Sequence, residues 1–163
     1  MSVATAIGGG HDKWGTPQDL FDEIRAKYFN HIPFDPCPNF ARLLEGTFTD
    51  SCEQDALTAD HVWREEELFI NPPFSDIEPW VKKADSVQGR KIVLLLPART
   101  DSKWFQEYGR NAEIVFIKGR VNYVDINSTK KSSASFGSML MIFGGGTGID
   151  FWRPKCHQQR RGK

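Results

Sequence analysis

Apolar residues along this chain follow two rhythms: short unbroken runs, and stripes spaced three or four positions apart. The unbroken runs are 68–70, 91–96, 113–117 and 136–143. They are too short and too continuous for helices, so they predict buried strands. Ile32-Pro33-Phe34 predicts one more strand. The stripes are Leu20, Phe21, Ile24 and Tyr28, then Ile77, Trp80, Val81 and Ala84, then Trp104, Phe105 and Tyr108. Each predicts the apolar face of a helix. Thr16, Pro17 and Asp19 read as a helix start, with a cap, a proline and an acid in the first turn. Ser75 and Glu78 have capping-box spacing for the second helix, and Thr100 or Asp101 suits the third. Residues 125–135 read as a mobile loop, Glu65-Glu66-Glu67 as a solvated turn, and Gly144-Gly145-Gly146 as a strand stop.

Strands alternating with helices predict an α/β domain of Rossmann-like kind, with a mostly parallel central sheet and helices on both faces. The expected organisation is a mobile arm over 1–12, one domain over 13–152 and a basic tail over 153–163.

The run at 68–70 ends in Asn71-Pro72-Pro73-Phe74. Prolines cannot donate to a sheet, so the strand stops there. The tetrapeptide then falls at a strand's carboxyl end, where open α/β sheets bind ligands. Its chemistry suits methylation of a planar amine. The Asn71 amide oxygen and the Pro72 carbonyl would each accept one amine N–H, and Pro73 would hold the turn. Those bonds draw the nitrogen toward tetrahedral geometry and release its lone pair for attack. Fixed proline φ angles preorganise the acceptors, and Phe74 offers a face for stacking a base. The plainer reading is a proline-rich strand end with an Asn cap and a core Phe.

Composition narrows the class. The chain has 163 residues, 39% hydrophobic and 26% charged, enough for one core without staples. Net charge is +0, so nucleic-acid affinity would need a local patch. Lys82, Lys83, Arg99 and Arg120 are candidates for that patch. Arg99 is equally suited to a phosphate or an acidic neighbour, and Lys118-Gly119-Arg120 to a DNA-touching loop or a hairpin turn. Three cysteines without metal-ligand spacing suit a reducing cytoplasm, and no metal site is expected. No stretch reads as a signal peptide or membrane span.

Several further pieces complete a family pattern: Trp14-Gly15-Thr16-Pro17, Phe34-Asp35-Pro36-Cys37, Asp55-Ala56-Leu57, residues 95–101 and Gly119-Arg120. Together with Asn71-Pro72-Pro73-Phe74 they resemble the small bacteriophage-type DNA N6-adenine methyltransferases, over roughly Lys13 to Phe143. The resemblance implies S-adenosylmethionine as cofactor and adenine in double-stranded DNA as substrate, in a bacterial host cytoplasm. It places Trp14, Thr16 and Pro17 against the methionine part of the cofactor, Asp35 and Pro36 near its ammonium, and Asp55 on its adenine amine. Ser135 and Phe136 fall where the family lines its target-base pocket, and Glu113 to Phe143 could supply the antiparallel pair in which the family's sheet ends. Sequence recognition would come from loops or from a second subunit, as in a homodimer. The same chemistry on RNA adenine, cytosine N4 or a protein glutamine stays open, as does a binding protein that has lost turnover.

Overall fold

A computed structural model describes residues 14–37, 44–49, 56–87, 89–125 and 131–158. In chain order its elements are β1 (Trp14–Gly15), α1 (Gln18–Tyr28), β2 (Glu67–Ile70), α2 (Glu78–Ser86), β3 (Lys91–Pro97), α3 (Lys103–Tyr108), β4 (Glu113–Ile117), β5 (Asn122–Asp125), β6 (Lys131–Ser133), β7 (Ser138–Phe143) and β8 (Gly148–Trp152). The main sheet runs β2-β3-β7-β4-β8. Every residue of β2 and β7, and all of β3 after Lys91, is buried, so both faces of the central strands are covered. On one face α1 packs Phe21 edge-on to Phe69, with centroids 5.0 Å apart, and Tyr28 against Trp152. Helices α2 and α3 pack against each other.

The fold is α/β, but the sheet is mixed where a mostly parallel one was expected. Strands β2 and β3 are parallel through the α2 crossover, yet β7 lies antiparallel between β3 and β4. No helix stands between Ile117 and Ser138 among the described residues. Parallel neighbours need a crossover connection, so a chain returning without one pairs antiparallel. Gly144 ends β7 at φ +84, where a Cβ would meet the Arg90 carbonyl at 1.8 Å. The chain then returns at once as β8, parallel to β4.

Several local signals resolve differently in the fold, each for a physical reason. The strand expected at 32–34 shrinks to single parallel bridges from Phe34 to Leu68 and Phe48, because Pro33 has no N–H to give. Helix α2 starts at Glu78 with Ile77 at its cap, so the Ser75–Glu78 box does not form. A turn closed by the Asp76 N–H on the Pro73 carbonyl occupies those residues instead. Ser102, not Thr100 or Asp101, caps α3 by accepting from the Phe105 N–H. Glu67 is buried rather than solvated, its carboxylate accepting from the Asn30 and His31 N–H groups at 3.0 and 2.7 Å. The loop expected over 125–135 contains β6, which pairs with β5 and joins β1 in a small second sheet.

Candidate active site

The carboxyl ends of β2 and β3 meet the loop before β7 and the N-terminal strand at one end of the sheet. Register puts them there: Ile70 pairs with Leu94, and Pro97 with Ser138. The Phe34–Leu68 bridge, continued in parallel, brings residues 35–37 alongside 69–71. The structure therefore gathers Trp14, Thr16, Asp35, Asn71 to Phe74, Arg99 and Phe136 at one edge.

Asn71 is the most constrained of these. Its Nδ2 donates to the Trp14 carbonyl and to Thr16 Oγ1, both at 3.0 Å. Its Oδ1 is buried and has no hydrogen-bond partner. Thr16 was expected to cap α1, but Pro17 occupies the cap position and no side chain caps that helix. The threonine hydroxyl is given to Asn71 instead.

Phe74, expected to offer a face for stacking a base, is only 6% exposed, as the plainer reading of a core ring would have it. It stands edge-on to Tyr123 and Phe136, with centroids 5.4 and 5.7 Å away. Tyr123 is buried on β5, its hydroxyl 2.9 Å from Ser138 Oγ. The Phe74 carbonyl accepts from Arg99 Nη1 at 2.8 Å, which ties the loop after β2 to the loop after β3. Beside this cluster opens a cleft of about 360 Å³ lined by Trp14, Phe74, Ser75, Arg99 and Phe136. That is within the size range of small-molecule sites. Another hollow, about 290 Å³ between Asp22, Arg25 and His31, holds none of these groups.

Asp35 is buried, and one carboxylate oxygen accepts from the Cys37 N–H at 2.9 Å. Burial pushes its carboxyl up to about 7, and the Cys37 N–H only partly offsets this. The neighbouring Pro36 is also buried. Asp55 lies outside the described residues. Of the basic candidates, exposed Arg99 reaches the cleft; Arg120 is exposed on the turn after β4, and Ser135 is exposed next to Phe136. Lys82 is exposed on α2, and Lys83 sits 5.8 Å over the Trp63 ring, near the amino end of β2. Among the described residues no group of side chains could hold a metal, and no helix is long and apolar enough to cross a membrane.

Residues 5–147 match the family model described as DNA N-6-adenine-methyltransferase (Dam). The chain belongs to this family. It is 33% identical over 148 residues to a DNA N-6-adenine-methyltransferase of Haemophilus phage HP1 (strain HP1c1), covering 87% of this chain and 83% of the relative. It is 26% identical over 111 residues to a DNA N-6-adenine-methyltransferase of Escherichia phage T1, covering 66% of this chain and 45% of that longer relative. Among solved structures, a "predicted O-methyltransferase" from Agrobacterium tumefaciens aligns over 63% of this chain and 49% of its own, with TM-score 0.34 and 18% identity, too loosely to bear on the site. Membership in the Dam family makes this chain one of the DNA adenine methyltransferases, and the sequence motifs had pointed to the phage-type branch.

Proposed function

We propose that the chain transfers a methyl group from S-adenosylmethionine to adenine N6 in DNA, with the target base turned out of the duplex into the cleft beside Asn71-Pro72-Pro73-Phe74. The observation that carries this reading is the Asn71 amide, whose donors are both engaged while its buried oxygen is left without a partner. A buried acceptor without a donor costs about 1–3 kcal/mol. A site that keeps one is suited to a donor that arrives with its substrate, and adenine N6 carries two N–H groups. One would go to Asn71 Oδ1 and the other to the Pro72 carbonyl.

S-adenosylmethionine, when bound, supplies an electrophilic methyl group and leaves as a neutral thioether. As the new N–C bond forms, the amine nitrogen becomes positive and its N–H groups become stronger donors. Asn71 and Pro72 therefore hold the transition state more tightly than the ground state, which is the condition for catalysis. Alkylation acidifies the nitrogen, so its proton is lost afterwards and no base is needed before attack.

The residues present fit the cofactor. Asp35 is a buried carboxyl at the crevice whose ionised form is disfavoured in the free protein. An ammonium beside it would restore the charge. Trp14, Pro17 and Pro36 would lie against the cofactor at the same edge, Thr16 being engaged with Asn71 instead, and Asp55 would accept from the cofactor's adenine amine. Phe136, half-buried, and Trp14 would flank the base, with the edge of Phe74 as the floor. Arg99 and Ser135 at the rim, with Arg120 and Lys82 farther out, would meet DNA phosphates, whereas Lys83 stays over the Trp63 ring. Sequence recognition would come from loops around the cleft or from a second copy of the chain.

Incubation with S-adenosylmethionine and unmethylated duplex DNA, followed by nucleoside mass spectrometry, tests the reading. N6-methyladenine is expected from the natural protein and none from Asn71→Ala with its melting temperature retained. A different methylated product, or undiminished turnover in Asn71→Ala, would overturn it.

A further inference from the structure

We propose that Thr16 is a positioning residue for Asn71, its hydroxyl setting which end of the amide is left to meet the substrate amine. The proposal rests on the reading that Asn71 Oδ1 accepts from the substrate amine.

The two ends of an Asn amide are nearly equal in shape and opposite in hydrogen-bonding sense. Only the polarity of its neighbours decides which end points where. Here the Trp14 carbonyl, which can only accept, and Thr16 Oγ1 both stand 3.0 Å from Nδ2. A flipped amide would set its oxygen against the Trp14 carbonyl and present an NH2 group to a substrate NH2 group. With both acceptors in place the amide is held at two points. With only Trp14 left it keeps one tether about which it swings.

The placement of Thr16 supports this role. It is 8% exposed, on the link between β1 and α1, one residue before a cap position that a threonine would ordinarily fill. Its hydroxyl reaches across 55 residues of chain to Asn71 instead. Trp14 and Gly15 are in turn fixed by pairing with Asp125 and Val124 of β5. The N-terminal strand thus orients a side chain on the loop after β2.

Thr16→Val keeps the volume and removes the acceptor. At saturating S-adenosylmethionine its kcat should fall about 10–100-fold, the scale of a displaced reacting group. Cofactor affinity by calorimetry should stay within about threefold, a change far smaller than that loss. Thr16→Ser should restore kcat. In the cofactor-free protein, one side-chain amide proton of Asn71 should lose its hydrogen-exchange protection in Thr16→Val and regain it in Thr16→Ser. If Thr16→Val does not fold, Thr16→Cys, with a weaker acceptor, should show the same fall. Unchanged kcat and unchanged protection would overturn the proposal. So would a defect cured by excess cofactor, which would make Thr16 a cofactor ligand only, or a Thr16→Ser variant as impaired as Thr16→Val. Asn71→Ala separates the two claims: full activity there removes the acceptor reading itself, whereas an inactive Asn71→Ala beside a fully active Thr16→Val removes only the role of Thr16.

Discussion

The Trp14 carbonyl oxygen lies 3.0 Å from Asn71 Nδ2, so this position is built for an amide and not for a carboxylate. An aspartate at 71 would set a charged oxygen against a carbonyl oxygen at that distance. Thr16 can rotate its hydroxyl to donate, but the Trp14 carbonyl has no such freedom. Asn71→Asp should therefore lose roughly 1–3 kcal/mol of stability at neutral pH, the cost of an unmatched buried polar pair. Part of the loss should return on acidification, when a protonated carboxyl can donate to Trp14. Melting curves for Asn71→Asp across mildly acidic to mildly alkaline pH check this; a curve matching the natural protein throughout would show that Trp14 does not select the amide.

Phe74 and Phe136 should separate cleanly. Phe74 is 6% exposed and wedged against two rings, so Phe74→Ala should cost about 3–5 kcal/mol through lost burial and a cavity. Phe136 is half-buried at the cleft wall. Phe136→Ala should leave melting much less affected while kcat/KM falls by about 1–3 kcal/mol, the scale of one base stack. Paired melting and methylation measurements on the two variants decide which ring serves the base.

The difference between these rings shows what the sequence could and could not convey. The strand ending in Asn71-Pro72-Pro73-Phe74 was legible because two prolines in a row withdraw successive ladder donors. The apolar faces of α1 and α2 were legible from their spacing. The use of Thr16 was not, because a threonine before a proline is also a good helix start. Only the fold reveals that its hydroxyl meets Asn71. The exposure of Phe74 was likewise hidden, since Tyr123 and Phe136 enclose it from 49 and 62 residues away. The antiparallel pairing of β4 with β7 was expected from the family resemblance alone; the pairing of β7 with β3 was not, and β5 and β6 are short and polar enough to read as loop.

The basic residues should not contribute equally to DNA binding. Arg99 lines the cleft and holds the Phe74 carbonyl at 2.8 Å, whereas Lys83 covers Trp63 near the opposite end of β2. Each phosphate contact adds about one to the salt dependence of affinity. Arg99→Gln should reduce that slope by about one and also lower turnover by loosening the loop. Lys83→Gln should leave the slope unchanged. Equal slopes for both variants in a salt titration would mean that the duplex does not approach along the cleft rim.

Asp35 gives the free protein a pH dependence of opposite sign to most paired carboxylates. Its carboxyl is raised from the usual 3.8 to about 7 by burial, so the folded state binds the proton more tightly than the unfolded chain. Stability from this group is therefore fully present below about pH 4 and is lost as pH rises toward 7. Above 7 the penalty is constant and on the order of a few kcal/mol. Asp35→Asn, which cannot ionise, should melt higher than the natural protein at mildly alkaline pH, and the gap should close in acid. If Asp35 holds the cofactor's ammonium, binding should favour the ionised form. Affinity for S-adenosylmethionine should then weaken as pH falls below 7, with proton release on binding in that range. Asp35→Asn should bind weakly at every pH despite its higher melting temperature. Calorimetry in two buffers of different ionisation enthalpy measures the released proton directly. A variant that gains stability yet binds as tightly as the natural protein would leave Asp35 a buried carboxyl with no part in the cofactor site.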